Sequence, residues 1–230
     1  MIFNLHSRFR SWLILAPLCA AAPTQGALID VFQDHNAFVS ATGSSSATGL
    51  IPNLGKVGNT GVPKTQGSVT FTAIAQSIDM WFGQGGGVDW TPLLPGDEIA
   101  FGERENFDAQ FAAPVFAAGF DFAEPTCASG CAPSTFTITL RDSANGLVGS
   151  FQFVPKQDIA QFFGVWSDTA FNLMQVRETL PPDSSNEYFG QFYTSSTPVP
   201  EPSALIMLSG SLLLAGALLR RRPAAGVLRG

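Results

Sequence analysis

Pairs of carboxylates are the side chains of this sequence best equipped for chemistry. They occur at Asp97 and Glu98, at Glu103 and Glu105 on either side of Arg104, and at Asp121 and Glu124. Two acids facing each other across a cleft suffice for glycosidic hydrolysis, one as acid and the other as nucleophile or base. The same oxygens are hard ligands of the kind calcium takes. No Asp-x-Asp-x-Asp loop is present, so composition admits calcium while no loop motif asks for it. In so acidic a chain these clusters equally suit solvated loops and strand edges.

Other reactive groups are sparse. Only His6 and His35 are present, and His6 lies in a segment read below as removable. His35 sits in Asp34-His35-Asn36, which reads as a surface turn, so a nucleophile with a histidine base has little support. Cys127 and Cys131 enclose Ala128-Ser129-Gly130. In an exported protein that pair is expected to close a local disulfide pinning a loop, worth no more than about 2–4 kcal/mol. The spacer departs from the redox Cys-x-x-Cys, and no imidazole or thiol nearby completes a zinc site. Trp81 and Trp90 bracket a run of glycines at 83 and 85–87. Their indoles could stack on a sugar ring, or could simply be core or rim residues.

The elements that must position these groups read as strands. Alternating or β-rich runs occur at 68–75, 78–82, 107–111, 115–122, 135–141, 147–154, 162–166, 171–177 and 188–193, with turn residues between them. In Thr135-Phe136-Thr137-Ile138-Thr139-Leu140 the period is two, as a half-buried strand requires. No stretch of the body has helical periodicity, and 20 phenylalanines supply an aromatic core. The expectation is an all-β antiparallel sandwich of the jelly-roll kind over residues 28–193, with a long loop at 42–63 and a polar tether at 194–198.

Both ends differ from the body. His6, Arg8 and Arg10 precede an apolar stretch at 12–22, the layout of a secretory signal peptide over residues 1–27. Signal peptidase cleavage is expected after Ala22, Gly26 or Ala27. Near the other end an apolar run at 204–219 would make a helix of roughly 24 Å, which flanking arginines can extend across a membrane. Arg220, Arg221 and Arg222 favour a cytoplasmic C-terminus, leaving 223–230 as a cytoplasmic tail. Between residues 27 and 200 stand six Lys or Arg against seventeen Asp or Glu. So few cations argue against nucleic-acid binding.

Val199-Pro200-Glu201-Pro202, the apolar run and the arginine triplet together resemble the PEP-CTERM sorting signal, here residues 199–222. The resemblance implies an exosortase-type processing enzyme as partner, transient membrane anchorage, and delivery to the cell surface or an exopolysaccharide and biofilm matrix. The stretches Phe107-Asp108-Ala109-Gln110-Phe111, Ala118-Gly119-Phe120-Asp121-Phe122 and Phe162-Phe163-Gly164-Val165-Trp166 resemble β-sandwich domains common among such proteins. They are core and turn residues, so they imply a fold and transfer no catalytic residue, cofactor or metal. Some proteins with such tails are grouped with ice-binding proteins, and Thr70, Thr72 and the Thr135, Thr137, Thr139 row are the residues that could serve ice. The function expected is a non-catalytic structural or carbohydrate-associating β-sandwich, with a carboxylate glycosidase or lyase as alternative.

Overall fold

A computed structural model of the chain describes residues 27–74, 77–83, 94–126, 134–180 and 187–198. In chain order these form β1 (Ile29–Phe32), α1 (His35–Thr42), β2 (Ser45–Ser46), β3 (Gly55–Asn59), β4 (Pro63–Gln66), β5 (Val69–Ala73), β6 (Ser77–Phe82), β7 (Ile99–Glu103), β8 (Phe107–Ala123), β9 (Thr135–Arg141), β10 (Leu147–Phe153), β11 (Ala160–Leu180) and β12 (Tyr188–Ser195). All strand pairings among them are antiparallel. The protein is therefore all-β, as its alternation predicts. One hydrogen-bonded path runs β10-β9-β11-β8-β12-β7-β6-β3, with β1 on β11, β2 on β12, and β4 joined through β5 to β8.

The two longest strands organise the rest. The start of β8 pairs with β5 on one side and with residues 173–176 of β11 on the other. Its end pairs with β12 and with residues 160–166 of β11. Between the halves, Ala112, Ala113 and Pro114 are exposed, and the β8–β11 register shifts on both sides of Phe171. Pro114 has no N–H for the ladder, so it belongs where pairing lapses. Here the ribbon folds back on itself. Phe189 of β12 lies 4.8 Å from Phe107 at one end of β8 and 5.1 Å from Phe122 near the other. A straight strand would hold those two rings about 50 Å apart.

Phenylalanine fills the space so enclosed. Phe71, Phe107, Phe120, Phe122, Phe136, Phe189 and Phe192 are fully buried, and their rings meet mostly edge-to-face, the arrangement the ring quadrupole favours. On β9, Phe136, Ile138 and Leu140 turn inward while Thr135, Thr137 and Thr139 turn out.

A smaller apolar cluster, Phe38, Ala117, Phe162, Trp166 and Tyr193, covers the opposite face of β8, β11 and β12. Helix α1 supplies Phe38. Its start is capped by Asp34, whose carboxylate accepts from Ala37 N at 2.7 Å, and it ends at Gly43 in the left-handed conformation with φ 65°. The paired residues Gly119 and Gly164 form a floor beneath the Phe162 and Phe38 rings.

Several sequence expectations are corrected. A helix does occur: α1 is short and buries only Phe38 and Thr42, too little to show a period. The segment 42–63 is not one loop, since it contains β2 and β3 and leads into β4. The runs at 107–111 and 115–122 belong to one bent strand, as do those at 162–166 and 171–177. Strands β1 and β7 also escaped the pattern. Strand β12 continues through Thr194 and Ser195, two residues into the stretch read as a tether. No described helix is long and apolar enough to cross a membrane.

Candidate functional site

Trp81 stands half-buried on β6, between the inward-facing Met80 and Phe82. It lies opposite Lys56 on β3 and Ala100 on β7, next to a 2.5 Å ion pair between Lys56 Nζ and Asp79 Oδ1. Its indole is thus outside the main core. Trp90, Cys127, Cys131, the segment 1–26, the motif Val199, Pro200, Glu201 and Pro202, the run 204–219 and Arg220, Arg221 and Arg222 lie outside the described residues. The outward threonines of β9 are flanked by Gln175 and Arg177 on β11 and by Ser150 and Gln152 on β10. Gln152 Nε2 donates to Thr137 Oγ1 at 3.0 Å. This face is a mixed polar surface rather than a threonine array.

A cleft of about 510 Å³ opens beside the N-terminus of α1. Phe162 and His35 form part of its wall, their rings stacked at 4.9 Å and 11°. Asp121 also faces it and accepts from the Tyr193 hydroxyl at 2.9 Å. Burial raises the Asp121 pKa, while the Tyr193 hydrogen bond and His35 oppose the rise. The same burial, with Asp121 close by, pushes the Tyr193 phenol far up. Gln161 closes a reciprocal pair of bonds with the Lys156 backbone. Leu94 and Pro95 line the cleft on the side where the chain emerges from residues 84–93. An aromatic wall with a carboxylate and amides at its margin suits a polar ring-shaped ligand.

The nominated acids do not form a facing pair. Asp97 is half-exposed and Asn53 Nδ2 reaches it at 3.4 Å. Its neighbour Glu98 is buried, and burial followed by the Asp97 charge pushes it up to about 8. Glu103 is exposed at φ 73°. Glu105 and Glu124 have no exposed surface and stand at opposite ends of β8, which the fold-back returns to one place.

There Glu105 meets Glu178 and Glu187, each placing a carboxylate oxygen within 4.8 Å of the other two. Glu178 and Glu187 are 5% and 1% exposed. Ser134 links the group: its hydroxyl donates to Glu178 Oε1 at 3.3 Å and to Glu187 Oε1, and its N–H donates to Glu124 Oε1 at 3.0 Å. The Glu105 N–H reaches Glu178 Oε2 at 3.4 Å, and the Glu178 N–H donates to Asn106 Oδ1 at 3.0 Å. Burial, then Glu187 and Glu178, hold the Glu105 carboxyl well above its ordinary range. Burial also raises Glu124, against the bonds from Ser134 and Gln157.

Glu178 and Glu187 carried no mark in the sequence reading, although a signal existed. Glu178 is in phase with the inward Met174 and Val176, and Glu187 with Phe189. A charge on the apolar phase of a strand is a buried charge.

No protein-family model, curated protein or solved structure matches this chain.

Proposed function

We propose that this protein is an exported, exosortase-sorted β-sandwich that associates with extracellular polysaccharide without acting on it. The observation that carries the reading is the tail: Val199-Pro200-Glu201-Pro202, the apolar run at 204–219, and Arg220-Arg221-Arg222. Strand β12 ends at Ser195, so in sequence the motif follows closely on the last described strand. The two halves of the β8–β11 ribbon with phenylalanines between them support the sandwich description. The outward Trp81 and the Phe162–His35 wall of the cleft support sugar association.

Hydrolysis is less well supported by the geometry. The two acids lining the cleft are already engaged, Asp34 with the Ala37 N–H and Asp121 with the Tyr193 hydroxyl. Glu105 and Glu124 have no access to a glycan from where they stand.

Native cells should be fractionated and the protein's C-terminus determined by intact-mass and peptide spectrometry. A terminus near 199–202 in matrix or medium is expected, and an intact Gly230 in the membrane fraction would overturn the sorting reading. Trp81→Ala should weaken retention on native exopolysaccharide with the melting curve kept. Wild-type retention in Trp81→Ala, Trp90→Ala and the double variant would remove the sugar-binding role.

A further inference from the structure

We infer that Glu105, Glu178 and Glu187, with Glu124 and the Ser134 hydroxyl beside them, form a buried calcium site that clasps the two ends of β8. Three carboxylates with oxygens mutually within 4.8 Å and almost no exposure are an anionic cage. Both Glu105 oxygens and Glu124 Oε2 lack a hydrogen-bond donor among the described residues. A buried carboxylate without a donor is costly, and several together more so, unless protons or a cation compensate them. Among the described residues no lysine or arginine forms an ion pair with them. The two ion pairs among the described residues, Lys56–Asp79 and Arg177–Asp108, lie elsewhere.

The chemistry suits calcium. Calcium holds oxygens at about 2.3–2.6 Å in flexible geometry, so three oxygens mutually within 4.8 Å can share one ion, whereas magnesium demands near-ideal octahedral geometry and keeps its waters. The donors are hard and oxygen-only, and among the described residues no thiol or imidazole of the sort zinc prefers joins them. Residues from five places in the chain converge: before β8, after β8, before β9, the end of β11 and the start of β12. A cation here would tie these segments together at the end of the ribbon away from its bend. The inference stands whether or not the tail is processed.

The test uses the full chain purified in detergent and stripped with EGTA. Terbium luminescence sensitised by the protein's aromatic residues should show saturable binding, displaced by calcium. Adding calcium to about 100-fold above Kd should raise Tm by about 5–10 °C, with a smaller rise from magnesium. Glu105→Gln should abolish most of the calcium-induced rise, and Asp142→Asn, distant from the cluster, should keep it. Absence of terbium and calcium binding at millimolar concentration in the wild type would overturn the site without recourse to any variant. An equal response to magnesium would overturn the assignment to calcium.

Discussion

Replacing Gly164 by alanine tests whether the glycine floor is there to admit two aromatic rings. A Cβ at Gly164 would lie 2.7 Å from Phe162 Cε1 and 2.7 Å from Phe38 Cδ2. Carbon atoms in contact prefer about 3.5–4.0 Å, so the rings would have to withdraw by about 0.8 Å. Neither is free to do so. Phe162 is stacked on His35 at 4.9 Å, and Phe38 is wedged between Phe162 and Phe32 at 5.0 and 5.5 Å. Overpacking of this kind costs about 1–3 kcal/mol. Loss of glycine's freedom in the unfolded chain returns about 0.4–1 kcal/mol. A net destabilisation of about 1–2 kcal/mol is expected for Gly164→Ala, measured by urea unfolding followed through tryptophan fluorescence. Phe162→Ala alone should cost more, about 3 kcal/mol. Combined, the two should fall short of their sum by about 1–2 kcal/mol, because Phe38 can then move into the vacated space. Additivity within about 0.5 kcal/mol would refute a steric role for the glycine.

Further outcomes follow from other contacts. Phe153 stacks on Phe163 at 3.8 Å and on Phe136 at 5.1 Å, so Phe153→Ala should cost about 3–5 kcal/mol in urea unfolding, with Phe153→Leu costing far less. Arg177 holds Asp108 at 2.5 Å and also donates to the carbonyls of Phe107 and Val176. Arg177→Ala should therefore cost about 1–3 kcal/mol and Asp108→Asn under about 1 kcal/mol; equal losses would contradict this. Asp34→Ala removes the cap of α1 and should lower stability by about 1 kcal/mol, with Asp34→Ser restoring most of it. Burial raises the Asp121 carboxyl above 3.8, so the folded state binds that proton more tightly than the unfolded one. Its contribution to stability then falls as pH rises from about 4 through the folded value. The Tm of Asp121→Asn should gain on wild type across that rise, and a pH-independent difference would show that the carboxyl is not held up.

The sequence was most legible where one face of a strand meets the core and the other meets water. Strand β9 shows this best, with Phe136, Ile138 and Leu140 in and three threonines out. Strands β3 and β4 were missed because they bury little: Gly-Lys-Val-Gly-Asn and Pro-Lys-Thr-Gln carry no apolar alternation. The single strands β8 and β11 were read as pairs because exposed Ala112–Pro114 on one and exposed Asp168 and Thr169 on the other interrupt the pattern at the bend, where hydrogen bonding slips but the chain stays extended. Of the carboxylate cluster, Glu105 and Glu124 were noticed as members of local acid pairs. Their true neighbours, Glu178 and Glu187, lie far along the chain and come near only through the β8–β11 and β8–β12 pairings. Short-range spacing holds no record of such a meeting. Trp81 could be placed on a strand, but its face was settled by the bulge between Ser77 and Met80.

The doubled ribbon also gives the molecule two unlike poles. Asp30, Trp166, Ala117 and Ser195 lie side by side on adjacent strands, so the body's first and last strands stand about 14 Å apart near the fold of the ribbon. The carboxylate cluster, and the points where residues 84–93, 127–133 and 181–186 leave and rejoin the strands, sit toward the opposite pole. Whatever holds the chain beyond Ser195 therefore grips it like the stem of a mushroom. A label fused just before residue 27 would lie beside the stem, at the pole opposite the carboxylate cluster.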